Sequence, residues 1–187
     1  MRLIKTLIIH LIAANAKLLV ALFWGNSFWR LKASCKANFS KLKYQIYLAY
    51  QERYGAWIGL DSEIKSAPHC PHGLYGIFIS ANAKIGDNCV IFQHVTIGSN
   101  TLKGSNKLGS PTIGDNCYIG AGAKIIGKIN VGDNCRIGAN CIVVKDVPSN
   151  CTCILRGTEI IENQTIVDNT FYPIDSIKHL EENIKDE

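Results

Sequence analysis

Residues 113–138 read IGDNCYIGAGAKIIGKINVGDNCRIG. An aliphatic residue falls on every sixth position, at Ile113, Ile119, Ile125, Val131 and Ile137, and again at Val143. Upstream the same beat runs through Ile79, Ile85, Ile91 and Ile97. Six matches neither the 3.6 of a helix nor the 2 of a simple strand. It is the signature of a parallel β-helix wound from hexapeptides, each giving a short strand and a turn on one face of a triangular prism. About 18 residues then make a coil, and the regular part holds about three to four coils. Glycine follows the repeat aliphatic directly at Gly86, Gly98, Gly114, Gly120, Gly132 and Gly138, and Asp-Asn recurs at 87–88, 115–116 and 133–134. Gly and Asn accept positive φ, so these residues are expected at the corners.

The chain has 187 residues, a net charge of +5 and eight cysteines. Cys89, Cys117, Cys135 and Cys141 each stand four residues after a repeat aliphatic, a slot held elsewhere by Ala83, Val95, Ala123 and Ile129. Small apolar side chains suit that slot, so these four read as core residues in a reducing compartment. His69-Cys70-Pro71-His72 looks like a metal cluster but has no matching pair with zinc spacing elsewhere, and no metal site is expected. The charge admits an anionic ligand, and no basic patch with interleaved aromatics points to nucleic acid.

The beat breaks once. Ile97 to Ile113 is 16 residues where one repeat is 6, so about ten are inserted, from Asn100 to Gly109. Insertions in repeat folds form loops, often on the binding face. Residues 1–57 read as helical with a break at Gly25, residues 58–157 as the solenoid, and residues 158–187 as a C-terminal extension or cap. Lys5, His10, Asn15 and Lys17 interrupt the first apolar stretch, which argues against a spanning helix. Its apolar face is expected either to pack on protein or to lie on a membrane surface through residues 1–32, beside Trp24, Trp29, Arg30 and Lys32. The expected location is the cytoplasm, with the inner membrane face as the variant of that reading.

Ile85-Gly86-Asp87-Asn88, Val95-Thr96-Ile97-Gly98, the run from Ile119 to Ile125, and Ile137-Gly138-Ala139 through Lys145-Asp146-Val147-Pro148 resemble the hexapeptide-repeat acyltransferases. The likeness is to their serine acetyltransferase-like branch, which includes the O-acetyltransferases of bacterial surface polysaccharides. It implies a mostly β fold, a left-handed parallel β-helix behind the helical segment, and a homotrimer with sites between neighbouring solenoids. It also implies acetyl-CoA as donor and a histidine as general base on an acceptor hydroxyl that attacks the thioester directly. His72, ahead of Gly76-Ile77, and His94, outward-facing beside Val95, are the candidate bases. Ala121, Gly122, Ala139 and Lys145 are the candidate CoA contacts, Lys145 through a phosphate.

The chain departs from the serine acetyltransferase pattern at two places. Ser110-Pro111 stands where a His-Pro step is expected, and Pro71 replaces an acidic residue before the first histidine. The expected reaction is therefore acetyl transfer to a hydroxyl of a sugar or surface polysaccharide, with serine O-acetylation as the alternative. Asp61 is a candidate to orient His72. A γ-class carbonic anhydrase needs three histidines on facing coils, and only His94 lies in the regular repeats.

Overall fold

The computed structural model describes residues 2–156. Residues 158–187, expected as a cap, lie outside the described residues. Three helices come first: α1 (Arg2–Trp24), α2 (Phe28–Ala37) and α3 (Lys41–Glu52). Gly25 and Asn26, at φ +60° and +57°, end α1 where the break was expected. Ser27 and Ser40 cap α2 and α3, each hydroxyl accepting from the backbone N–H three residues on (Arg30, 3.3 Å; Lys43, 3.2 Å).

Thirteen strands of two or three residues follow among the described residues, and all their pairings are parallel. They stack into three faces of a left-handed hexapeptide β-helix. The first face holds 57–58, 78–79, 96–98, 124–126 and 142–143; the second 63–64, 84–85, 112–113 and 130–131; the third 90–91, 118–119, 136–137 and 152–153. Ile125 pairs with Val143, three repeat aliphatics on, as a plain coil requires. Ile97 pairs with Ile125 across a longer stretch of chain, because the insertion leaves the coil and returns. Asn100 and Gly109 close that insertion as an antiparallel bridge, the bounds expected from the broken beat.

Each repeat aliphatic from Ile79 to Val143 is buried in the prism. Burying one such side chain stabilises by about 1.5–3 kcal/mol, so the stack is the main source of stability. Cys89, Cys117, Cys135 and Cys141 are buried in the slot assigned to them. The thiols of Cys89, Cys117 and Cys135 also donate to carbonyls of the following coil (Gly114 O 3.3 Å, Gly132 O 3.2 Å, Pro148 O 3.1 Å). A methyl in that slot could not do this.

The Gly-Asp-Asn signature has a mechanical reading. Asn88, Asn116, Asn134 and Asn150 hold one corner at φ between +53° and +63°. Beside them the Asp115 carboxylate accepts Asp87 N–H at 2.8 Å, the Asp133 carboxylate accepts Asp115 N–H at 2.7 Å, and Ser149 Oγ accepts Asp133 N–H at 3.0 Å. Each coil's corner is thus tied to the next. The second corner donor of Asp115 is Lys65, at 3.0 Å.

The helices close the open end of the prism. Phe28 stacks on Tyr47 and Tyr50 at 5.1 and 5.5 Å, so these tyrosines of α3 are packing residues. The Tyr47 hydroxyl donates to Ile58 O at 2.6 Å and the Gln51 carboxamide accepts Ile58 N–H. Lys32 is 6 % exposed and donates to Leu60 O (3.0 Å) and Ser62 O (2.7 Å) on the first coil.

This packing corrects the membrane-surface expectation for residues 1–32. Trp24 and Trp29 pack against the protein core, Lys32 is buried, and Ile12, Ala16 and Val20 turn the inner face of α1 into that core. No described helix is long and apolar enough to cross a membrane. Of the four residues named for a membrane surface, Trp24, Trp29 and Lys32 are engaged by protein and Arg30 is exposed.

Candidate functional site

The corner between the third and first faces carries the candidate chemistry. Coil by coil it is formed by Tyr75-Gly76, Gln93-His94, Ala121-Gly122 and Ala139-Asn140. His94 N–H donates to Tyr75 O at 2.9 Å, Gly122 N–H to Gln93 O at 3.0 Å, and Asn140 N–H to Ala121 O at 2.8 Å. The second member of every step is left-handed: Gly76 at φ +63°, His94 at +60°, Gly122 at +71°, Asn140 at +57°. Glycine or asparagine is the ordinary occupant of such a corner, and histidine is the exception here.

His94 is exposed, as its slot implied. Its ring lies over Gly76, where a β-carbon would stand 2.2 Å from His94 Nδ1. Its carbonyl accepts Lys124 Nζ at 2.6 Å. Tyr54, Tyr75, His94, Thr96 and Lys124 line a cleft of about 510 Å³ on the first-face side.

His72 sits on the third-face side of the same corner. Its Nδ1 is 2.7 Å from Gln93 Oε1, and its ring stands edge-on to Phe92 at 5.6 Å and 86°. Phe92 in turn packs on Tyr118 at 5.1 Å. The two candidate imidazoles, far apart in the chain, therefore meet at one corner and are bridged there by Gln93. Asp61 does not orient His72: its backbone carbonyl accepts Lys36 Nζ at 3.4 Å, at the helix end of the prism. The orienting contact is Gln93, which sequence reasoning missed. Its place directly before an outward-facing histidine at a corner was the available signal.

Ala121, Gly122 and Ala139 continue the column below Gln93, so three of the four candidate CoA contacts share one line. Successive coils rise by about 4.8 Å. Ala121, Gly122 and Ala139 put little or no side chain on the two rungs below Gln93, where the one larger residue is Asn140. Gly122 has no room for more: a β-carbon would come 2.1 Å from Asn140 Oδ1. Lys145 is exposed, one coil-end below, and borders an apolar cleft of about 410 Å³ with Ile142, Val144, Ile154 and Leu155.

The remaining candidates fall elsewhere. His69 forms a bridge with Val90 and so starts the third face rather than a loop. Burial pushes the Cys70 thiol up to about 11. Among the described residues no three His, Cys, Asp or Glu side chains converge. Ser110, where a histidine was looked for, has its hydroxyl 2.7 Å from that of Ser99 at the base of the insertion. Lys107 anchors the insertion to Asp146 at 3.3 Å.

Residues 110–145 match the family described as bacterial transferase hexapeptide (six repeats). The chain is 48% identical over 98 residues to the serine acetyltransferase of Synechococcus elongatus, covering 52% of this chain and 39% of that protein. It is similar to the crystal structure of Neisseria gonorrhoeae serine acetyltransferase in complex with serine, with a TM-score of 0.59, 29% identity, and coverage of 69% of this chain and 52% of that one. A third likeness is to the Brucella abortus serine acetyltransferase in complex with coenzyme A, with a TM-score of 0.58, 28% identity, and coverage of 67% and 49%. The chain thus spans about half or less of the length of these relatives. They correct the carbohydrate acceptor expected from Ser110 and Pro71: the ligand named in the Neisseria complex is serine, an amino acid.

Proposed function

We propose that the chain is a hexapeptide-repeat acyltransferase of the serine-acetyltransferase-like family, and that it transfers an acetyl group from acetyl-CoA to the hydroxyl of serine or a close amino-acid analogue. The observation that carries this reading is the corner itself, with an oriented imidazole at its head and the rungs Ala121-Gly122 and Ala139-Asn140 beneath it.

In this reading His72 is the general base. Nε2 of the neutral ring takes the proton of the acceptor hydroxyl as its oxygen attacks the thioester carbonyl carbon. The tetrahedral adduct collapses by breaking its C–S bond. The leaving thiolate takes the proton back from the imidazolium, so the products are the O-acetyl ester and CoA with its thiol, and the histidine is neutral again. Ala121, Gly122 and Ala139 line the path of the pantetheine arm. Lys145, without a carboxylate within ion-pair distance among the described residues, is free to meet a CoA phosphate.

A second reading makes His94 the base. Its exposure and left-handed backbone favour it, since strained residues gather at functional sites. The ring is nevertheless turned onto Gly76, whereas the His72 ring is held by a side-chain acceptor. The proposal also includes a homotrimer, supported by exposed Trp57, Phe78 and Ile142 on the first face, and a cytoplasmic setting, supported by eight free thiols.

The test is product analysis. The purified chain is incubated with acetyl-CoA and L-serine, and O-acetylserine is followed by mass spectrometry together with thiol release. Serine-dependent formation of both is expected. Thiol release with no acetylated product from serine, threonine or homoserine would overturn the reading.

A further inference from the structure

We propose that Gln93 is the positioning residue for the base, holding His72 as the Nδ1–H tautomer through its carboxamide oxygen. The inference rests on the reading of His72 as base and names what prepares it. An amide oxygen only accepts, so an imidazole nitrogen 2.7 Å from Gln93 Oε1 carries the hydrogen. The lone pair is then on Nε2, the nitrogen turned away from Gln93 and available to a substrate hydroxyl. Phe92 stands edge-on to the ring at 5.6 Å and restricts its swing on that side.

Gln93 is itself fixed more firmly than an ordinary corner residue. The peptide between Gln93 and His94 is held on both sides, its carbonyl accepting Gly122 N–H and its N–H donating to Tyr75 O, and the next carbonyl, His94 O, accepts Lys124 Nζ. His94 keeps a left-handed backbone that its β-carbon disfavours, and Gly76 provides the space its ring occupies. Three hydrogen bonds and one glycine thus impose an unfavourable conformation at the residue beside Gln93. Directly before this step the Gln93 carboxamide meets His72 at 2.7 Å. On this view His94 and Lys124 act through Gln93.

Gln93 is a neutral partner. Four carboxylates along the prism have other partners: Asp115 and Asp133 accept corner N–H groups, Asp115 also pairs with Lys65, Glu63 with Lys84, and Asp146 with Lys107. Pro71 precedes His72 in the chain. A neutral acceptor selects the tautomer without adding a charge beside the ring.

The test combines a structural and a kinetic readout. Nitrogen-15 chemical shifts of His72 in the full chain at high pH should report the Nδ1–H tautomer, and Gln93→Leu should shift the ring toward a mixture. Gln93→Leu should lower kcat for serine by about 10- to 100-fold with KM changed less than about threefold. Gln93→Glu, which restores an acceptor, should recover most of kcat and move the rising limb of the pH–rate profile up by about one unit. A ring protonated on Nε2 in the unaltered protein would overturn the proposal, as would Gln93→Leu with unchanged kcat. A purely structural Gln93 would instead lower Tm in both variants, with Glu no better than Leu. An active His72→Ala variant would refute the base assignment separately, while the tautomer measurement would still judge the Gln93 contact.

Discussion

Lys32 gives the sharpest test of how the helices are joined to the prism. Its ammonium is buried between α2 and the first coil, donating to Leu60 O and Ser62 O. Burial, helped by the nearby Lys36 charge and opposed by Asp61, pulls its pKa down from 10.5 to about 8. The unfolded chain holds this proton up to about pH 10.5 and the folded chain releases it above about pH 8. Between those values the unfolded state binds more protons, so stability rises with pH. A shift of that size corresponds to about 3 kcal/mol across the window. Urea unfolding of the native chain and of Lys32→Met at pH 7.5, 9 and 10.5 isolates the contribution, because the other titrating groups cancel in the difference. The stability of native relative to Lys32→Met should increase by about 3 kcal/mol from the lowest to the highest pH. A difference that stays flat, or falls as pH rises, would refute the claim that a charged lysine is desolvated at this joint.

Four further outcomes follow from the prism and its inserted loop. Gly122→Ala puts a β-carbon at φ +71° and 2.1 Å from Asn140 Oδ1, so it should cost about 1–3 kcal/mol in thermal unfolding and raise KM for acetyl-CoA. Gly104→Ala, at φ +86° but with nothing within 4 Å, should cost only the conformational part, about 1 kcal/mol. Of eight free cysteines five are buried, so a thiol reagent should label at most Cys70, Cys151 and Cys153 rapidly in the folded chain, and all eight after denaturation. The Asp115 carboxyl is held below the usual carboxylate range, first by Asp87 N–H and then by Lys65. Its contribution is present above the unfolded pKa and lost as pH falls through the folded one, so Asp115→Asn should flatten the acid limb of stability below about pH 4, read from urea midpoints.

The prism was legible because its physics is periodic. One slot recurs every six residues, so the inner wall, four of the cysteines and the bounds of the insertion could all be read from the beat. The first coil was less legible. Ile58 pairs with Ile79, and the extra chain between their strands carries no periodic mark. The site was legible as a set of residue types and not as a geometry. His72 and His94 were singled out by the residues that flank them in the chain, yet their placement at one corner depends on coil stacking, and the Gln93 contact on a rotamer. Acceptor class was misread because two substitutions, at Pro71 and Ser110, were weighed above the rest of the repeat. The α1 stretch misled for a different reason: an apolar helical face looks the same whether protein or lipid covers it, and only the tertiary contacts of Trp24, Trp29 and Lys32 decide.

Acetyl transfer through His72, at the head of the Ala121–Ala139 corner, is the claim on which the rest depends. Initial rates of serine-dependent CoA release by His72→Ala and His94→Ala, each checked for an unchanged unfolding temperature, measure it directly. The expected result is a loss of at least about 100-fold for His72→Ala and a smaller loss for His94→Ala, which acts through the corner. Full activity in His72→Ala, with the loss found in His94→Ala instead, would contradict it.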